Sequence, residues 1–155
     1  MPRSPLDAVR DAPNACQALP HVVTAGQPTA RQLADLKEAG DVLVLDIRDP
    51  MEPRSFDEPV EARTLGLDYI NIPVSGGTLD DSTLDRILGV LRAAGERDVF
   101  FHCASANRVG GAIIPYLMID QGMEEEDAVE QAMRIGLRSA EYMEWGLDYV
   151  RRHAS

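Results

Sequence analysis

The sequence predicts an α/β fold with a mostly parallel central sheet flanked by helices. Three observations carry this expectation. Apolar runs rich in β-formers recur at residues 21–25, 42–46, 69–73 and 98–102. Each is followed by residues that start or space a helix. One run, VLVLD at 42–46, has no polar interruption before its last residue, as expected of a strand covered on both faces. Strands alternating with helices imply parallel βαβ units.

Taken in order, residues 1–20 are broken by Pro2, Pro5 and Pro13 and read as an irregular segment with a short helix near 6–10. HVVTA at 21–25 is the first strand, and Gly26-Gln27-Pro28 turns the chain. Thr29 with Gln32 forms a capping-box pattern for a helix reaching Glu38. Leu33 and Leu36 supply its buried stripe, and Gly40 ends it. Residues 50–57 form a loop. Pro59 suits the first turn of a short helix over 59–65 that stops at Gly66. YINIP at 69–73 is the third strand, followed by a flexible Ser75-Gly76-Gly77 loop. Asp80 or Asp81 starts the next helix, where Leu84, Ile87, Leu88 and Leu91 follow helical spacing. DVFFH at 98–102 is the fourth strand. The helix after it is apolar almost all round, and Pro115 within it reads as a local irregularity. Acids at 124–127 complement a further helix N-terminus, and Gly136 closes that helix. Ser139 caps the last helix, with Met143, Leu147 and Val150 on its apolar face. Tyr142, Trp145 and Tyr149 complete the core.

The whole chain, 1–155, reads as one domain. Hydrophobic residues make up 45% and charged residues 26%, and the net charge is −11. That charge argues against nucleic acid and anionic membrane surfaces as partners. No apolar run approaches the roughly 20 residues that span a bilayer. No signal peptide is evident, so a reducing, cytoplasmic setting is expected. The two cysteines, Cys16 and Cys103, make no disulfide framework, and no His/Cys cluster has zinc spacing. No cofactor or metal is expected. Cys16 reads as structural, with a resolving role toward Cys103 as the alternative.

The functional signal lies at 98–119. A buried strand passes through Cys103 and turns into a helix with Arg108 in its first turn. Such a turn aims the N–H groups of Ala104, Ser105, Ala106, Asn107 and Val109 at one spot, and the helix dipole adds positive character. Arg108 supplies a guanidinium there. The cradle suits an anion and would favour a Cys103 thiolate as nucleophile. The other reading of Cys103 is a small buried hydrophobe. Because ligands of such sheets sit at the carboxyl ends of strands, Arg48, Asp49 and Ser75–Gly77 are expected nearby.

HCASANRVGG at 102–111 resembles the signature of the Cys-dependent phosphatase superfamily: His-Cys, five residues, Arg. TAGQPT at 24–29, VLDIR at 44–48 and YINIPV at 69–74 extend the resemblance, most closely to a bacterial phosphatase-like branch named after beta-lactamase-hydrolase-like proteins. The resemblance implies a protein-tyrosine-phosphatase-like fold, Cys103 as nucleophile and Arg108 as anion ligand. It implies that His102 helps set the thiolate through hydrogen bonds to the loop, and that Gln27 approaches the site.

The chain departs from the pattern. Four residues separate Cys103 from Arg108, as in rhodanese sulfurtransferases, and VLDIRDPME at 44–52 is also similar to a rhodanese segment. Ala106 stands where such loops usually have Gly, and positive φ there would cost about 1 kcal/mol or more. Val109 replaces the usual Ser or Thr. No Asp follows the third strand where a general acid would sit. Asp49, Asp80 and Asp81 are the candidates, although Asp80 and Asp81 better suit the helix start.

Three functions follow. A phosphatase would hydrolyse a phosphate monoester through a phosphocysteine. A sulfurtransferase would carry a persulfide on Cys103 and act on a small sulfur-bearing substrate. A catalytically weak module would bind phosphate or a phosphoprotein.

Overall fold

The computed structural model describes residues 3–153. Its sheet has the strand order β1-β2-β5-β3-β4, with β1 (Cys16–Leu19), β2 (Val22–Ala25), β3 (Val42–Asp46), β4 (Asp68–Asn71) and β5 (Asp98–His102). β2, β5, β3 and β4 are parallel, and β1 pairs antiparallel with β2 at one edge. The mostly parallel α/β expectation therefore holds. In 1–20 the short helix expected near 6–10 is α1 (Pro5–Val9), capped by the Ser4 hydroxyl, whereas β1 replaces the irregular chain expected after it. β1 buries only Ala18, so it shows none of the alternation that marks a strand in sequence.

Elsewhere the boundary residues act as expected. α2 (Ala30–Ala39) starts on the complete Thr29–Gln32 capping box. α3 (Glu58–Leu65) has Asp57 as its cap and Pro59 in its first turn, and it ends on Gly66 at φ 77°. Asp80 caps α4 (Asp81–Ala94). α5 (Asn107–Pro115) is buried from Val109 onward. α6 (Glu125–Ile135) carries acids in its first turn, and α7 (Ala140–His153) follows Ser139. The 75–77 loop closes as a tight 3-10 turn, Gly76–Thr78.

The sheet buries both faces. Phe100 packs with Leu33, Leu36 and Val44 under α1, α2 and α3. Phe101 and Cys103 point the other way, into the core shared with Leu84, Ile87, Ile113 and Trp145. β5 lies between β2 and β3, so the chain leaving its carboxyl end enters the centre of the molecule.

Pro115 ends the regular part of α5, and Tyr116–Asp120 continues as a π-helical turn. Without an N–H, Pro115 leaves the Gly111 carbonyl without its usual helical donor. α7 crosses at that carbonyl, where a Cβ on Gly146 would lie 2.3 Å from it. Gly111 of the HCASANRVGG stretch serves the same contact, since a Cβ on it would lie 2.5 Å from the Tyr142 carbonyl, and Gly110 lies against Leu137, where a Cβ would approach to 2.8 Å. Gly146→Val is therefore expected to destabilise the fold by about 1–3 kcal/mol through overpacking, read as a lower urea midpoint at unchanged slope.

Candidate active site

Cys103 is the first residue beyond β5, and its N–H bonds the Ala25 carbonyl at 3.3 Å. Its side chain is 1% exposed. Next comes a loop whose N–H groups are left over: from Ala104 through Val109, none has an acceptor among the described residues. Backbone N–H groups rarely stay unpaired, so this run is a ready set of donors for anionic oxygens.

Three contacts hold the loop open. Ala106 adopts φ 75°, the left-handed conformation that turns the chain into α5. Its backbone and Cβ lie against Gly136, where a Cβ would approach Ala106 Cβ to 2.9 Å. Gly26 backs the loop, since a Cβ there would meet the Ala104 carbonyl at 2.4 Å, and the Gln27 N–H bonds that carbonyl at 3.0 Å. Asn14, also at positive φ, donates to the Ser105 carbonyl at 2.8 Å. The Asn107 side chain faces away: its Oδ1 accepts from the Arg138 and Ser139 N–H groups, and its Nδ2 donates to Ser139 Oγ. Asn107 thus offers an anion its backbone and not its side chain.

Arg108 is anchored by one edge of its guanidinium. Nη1 and Nη2 donate to the two oxygens of Glu52 at 2.7 and 2.9 Å, and Nη1 also reaches the Val74 carbonyl at 3.0 Å. Its Nε–H makes no hydrogen bond among the described residues, so the Nε/Nη2 edge remains for an anion. The Glu52 hydrogen bonds raise the Arg108 pKa, and the nearby Cys103 sulfur adds to the effect. Glu52 itself is held at a pKa of about 2, chiefly by Arg108, with burial opposing. Arg48 Nε also donates to it, at 3.2 Å, and so does the Asp49 N–H, at 2.7 Å.

His102 serves the loop from the opposite face of the sheet. Its Nδ1 lies 3.1 Å from the Cys103 carbonyl, and its Nε2 lies 2.6 Å from Glu58. Burial opposes its charge, but Glu58 and Asp46 outweigh burial and raise its pKa. A doubly protonated ring donates to both partners, so His102 holds the loop backbone and is not aimed at the thiol. Arg54 joins the same cluster, with Nη1 2.7 Å from Asp46 and 2.9 Å from Glu58, and Tyr69 donates its hydroxyl hydrogen to Asp46. Asp46, Glu58 and His102 offer three atoms within 4.8 Å of one another, the spacing of a metal site. Arg54 already supplies the positive charge between the two carboxylates.

The three candidate acids do other work. Asp80 accepts from the Thr83 N–H at 2.9 Å, and that bond lowers its pKa. Asp81 is held at about 2 by Arg152 and then His153 at the end of α7. A lowered pKa is the wrong direction for a proton donor at neutral pH. Asp49 accepts from the Met51 N–H and shapes the turn that presents Glu52. Cys16 is not a partner for Cys103. It stands opposite Thr24, which in turn stands opposite Phe101 on β5. Two strand spacings put it roughly 10 Å from β5, beyond the ~7 Å Cα limit for a disulfide.

Sequence reasoning missed Glu52, Arg54, Glu58, Tyr69 and Asn71. Asn71 donates to the Asp46 and Arg48 carbonyls and ties β4 to the turn after β3.

No protein-family profile matches the chain, and no curated protein matches it. Solved structures do. A candidate phosphatase (DUF442) from Shewanella putrefaciens CN-32 superposes with a TM-score of 0.81 at 18% identity, over 97% of this chain and 99% of that one. Tk-PTP in its active form matches with a TM-score of 0.74 at 22% identity, over 90% and 98%. A Cys-to-Ser form of P. aeruginosa TpbA in complex with phosphotyrosine matches with a TM-score of 0.64 at 21% identity, over 88% and 90%. The chain has the fold of the Cys-dependent tyrosine and dual-specificity phosphatases.

The Glu52 anchor has a pH signature. A carboxylate depressed from 4.5 to about 2 stabilises the folded state above pH 4.5, and that contribution is lost as pH falls toward 2. Glu52→Gln is expected to be less stable than the parent at neutral pH and to converge with it in acid, followed by urea unfolding across that interval.

Proposed function

We propose that this chain, built on the fold of the Cys-dependent phosphatases, is a phosphatase for monoesters whose leaving group departs without help. The run of unpaired N–H groups from Ala104 to Val109, beside Cys103 and the open edge of Arg108, carries this reading. The phosphoryl oxygens take these donors. The Cys103 thiolate attacks phosphorus, the bond from phosphorus to the ester oxygen breaks, and that oxygen leaves with the electron pair. Water then attacks the phosphocysteine, returning the thiolate and releasing phosphate.

The leaving-group restriction comes from the missing acid. Asp80 and Asp81 are engaged at the start of α4, and both pKa values are lowered. An absent general acid typically slows the step about 10²- to 10⁴-fold, and the penalty falls on leaving groups that need a proton. Aryl phosphates, acyl phosphates and phosphoanhydrides do not need one. Val109 also leaves the departing thiolate without the hydroxyl that related loops usually place after the Arg. Breakdown of the phosphocysteine is then the slower step.

Sulfur transfer is the second reading, supported by the four-residue loop and by needing no acid. A phosphate- or phosphoprotein-binding module is the third. Assays with an aryl phosphate, an alkyl phosphate, and thiosulfate with cyanide separate the three. The phosphatase reading expects a burst of aryl alcohol followed by slower turnover. It expects an alkyl ester slower by about 10²-fold or more, and loss of all turnover in Cys103→Ser. Thiocyanate formation without phosphate release would establish sulfur transfer. Phosphate binding that is lost in Arg108→Ala, with neither turnover, would establish the binding module.

A further inference from the structure

A cavity of 650 Å³ lies between the 50–57 loop, the start of α3 and β4. Its volume falls within the range of small-molecule sites, about 300–1,000 Å³. It sits on the other side of the sheet from the thiol. Phe56 and Tyr69 in its wall pack with the α1–α3 core, whereas Cys103 belongs to the opposite core. Glu52, which also lines it, is the wall it shares with Arg108.

Two lining side chains have unused hydrogen-bonding capacity. The Arg54 side chain is only 10% exposed, and its Nη1 faces Asp46 and Glu58. Its Nε and Nη2 make no hydrogen bond among the described residues. Thr24 Oγ1 is the single fully buried side-chain polar atom without a partner among those residues, so solvent reaches the unused Arg54 nitrogens, and Arg54 lines this cavity. Asn71 commits both Nδ2 hydrogens to the Asp46 and Arg48 carbonyls, while its Oδ1 accepts nothing. The cavity therefore presents donors from Arg54 and an acceptor from Asn71, beside Phe56, Tyr69, Pro50 and Pro59.

Charge selects the ligand further. Arg54 and His102 already answer Asp46 and Glu58, while Arg48 and Arg108 answer Glu52. The four acids around the cavity, Asp46, Glu52, Asp57 and Glu58, are matched by Arg48, Arg54, His102 and Arg108, so an anion entering here would add unbalanced negative charge. A neutral carbonyl meets the unused Arg54 N–H groups without that penalty.

We infer that this cavity is a second binding site, separate from the Cys103 loop, for a neutral planar heterocyclic amide of the nucleobase kind. A ring carbonyl accepts from Arg54, a ring N–H donates to Asn71 Oδ1, and the ring face lies against Phe56. The site does not depend on any activity at Cys103.

The test is a titration of the full chain with uracil, followed by two-dimensional ¹⁵N–¹H NMR at the Arg54 Nε–H and the Asn71 amide. Benzoate, a flat anion, serves as comparison, and inorganic phosphate reports on the 104–109 amides. The expected result is a saturable shift of the Arg54 signal with uracil in the millimolar range, about tenfold weaker with benzoate. Phosphate is expected to leave it unmoved. Arg54→Lys keeps a cation for Asp46 and Glu58 but removes the Nε/Nη2 edge, and it should weaken uracil at least about tenfold. Phe56→Ala, at the partly exposed wall, should weaken it as well; it decides the matter if the melting curve shows Arg54→Lys unfolded. An Arg54 signal unmoved at about 10 mM uracil, equal shifts with benzoate, or undiminished affinity in whichever variant is folded would overturn the inference.

Discussion

The molecule depends on a cluster of buried charges at the carboxyl end of its sheet. Asp46 from β3, Glu58 from α3 and His102 from β5 have no exposed side-chain surface, and Arg54 closes the cluster from the loop. Taking each ion out of water costs several kcal/mol, so the arrangement persists only where every member is paired. Here each pairing crosses between elements: β3 to the loop, the loop to α3, α3 to β5. The cluster sets where β3, the start of α3 and the distant β5 meet. Removing one member would strand another charge in a dry interior.

From that base a chain of polar contacts runs to the front of the site. Gln27 donates to Glu58 at 2.7 Å and accepts from Arg48 at 2.8 Å, and Arg48 in turn donates to Glu52. Glu52 grips Arg108. This explains the TAGQPT stretch, whose role sequence chemistry alone left open: the Gly26 backbone supports the loop, and the Gln27 side chain joins two arginine–carboxylate systems. A guanidinium fixed on one edge loses little further rotamer freedom when its other edge meets a ligand, which is how a binding site is preorganised.

Much of this was legible in sequence wherever the signal was local. The uninterrupted VLVLD run, the Thr29–Gln32 box, Pro59 and the spacing from Leu84 to Leu91 each specify an element through their nearest neighbours, and each stands where expected. The strand–loop–helix around Cys103 and Arg108 was legible for the same reason. β1 was not, because four residues at an antiparallel edge carry too little pattern. Glu52, Arg54 and Glu58 were not, because acids and arginines in a proline-flanked loop look like solvated surface. Glu52 and Glu58 find Arg108 and His102 far along the chain, where only the fold brings them together, and Arg54 gains its role from standing between Asp46 and Glu58. The positive φ expected at Ala106 was legible by comparison with glycine at that position in related loops, and the compensation was not: Gly136, thirty residues downstream, leaves room for the Ala106 methyl.

The separation of the two cysteines bears on survival under oxidants. Many thiolate enzymes escape peroxide by condensing a sulfenic acid with a neighbouring thiol, a step that mild reductants reverse. Cys16 sits two strands from β5 and cannot reach Cys103 without breaking the sheet. A sulfenic acid at Cys103 has only a backbone nitrogen or an external thiol to trap it before it advances to the sulfinic acid. Under the proposed thiolate chemistry, the fold therefore leaves repair of this one sulfur to the thiol pool around it.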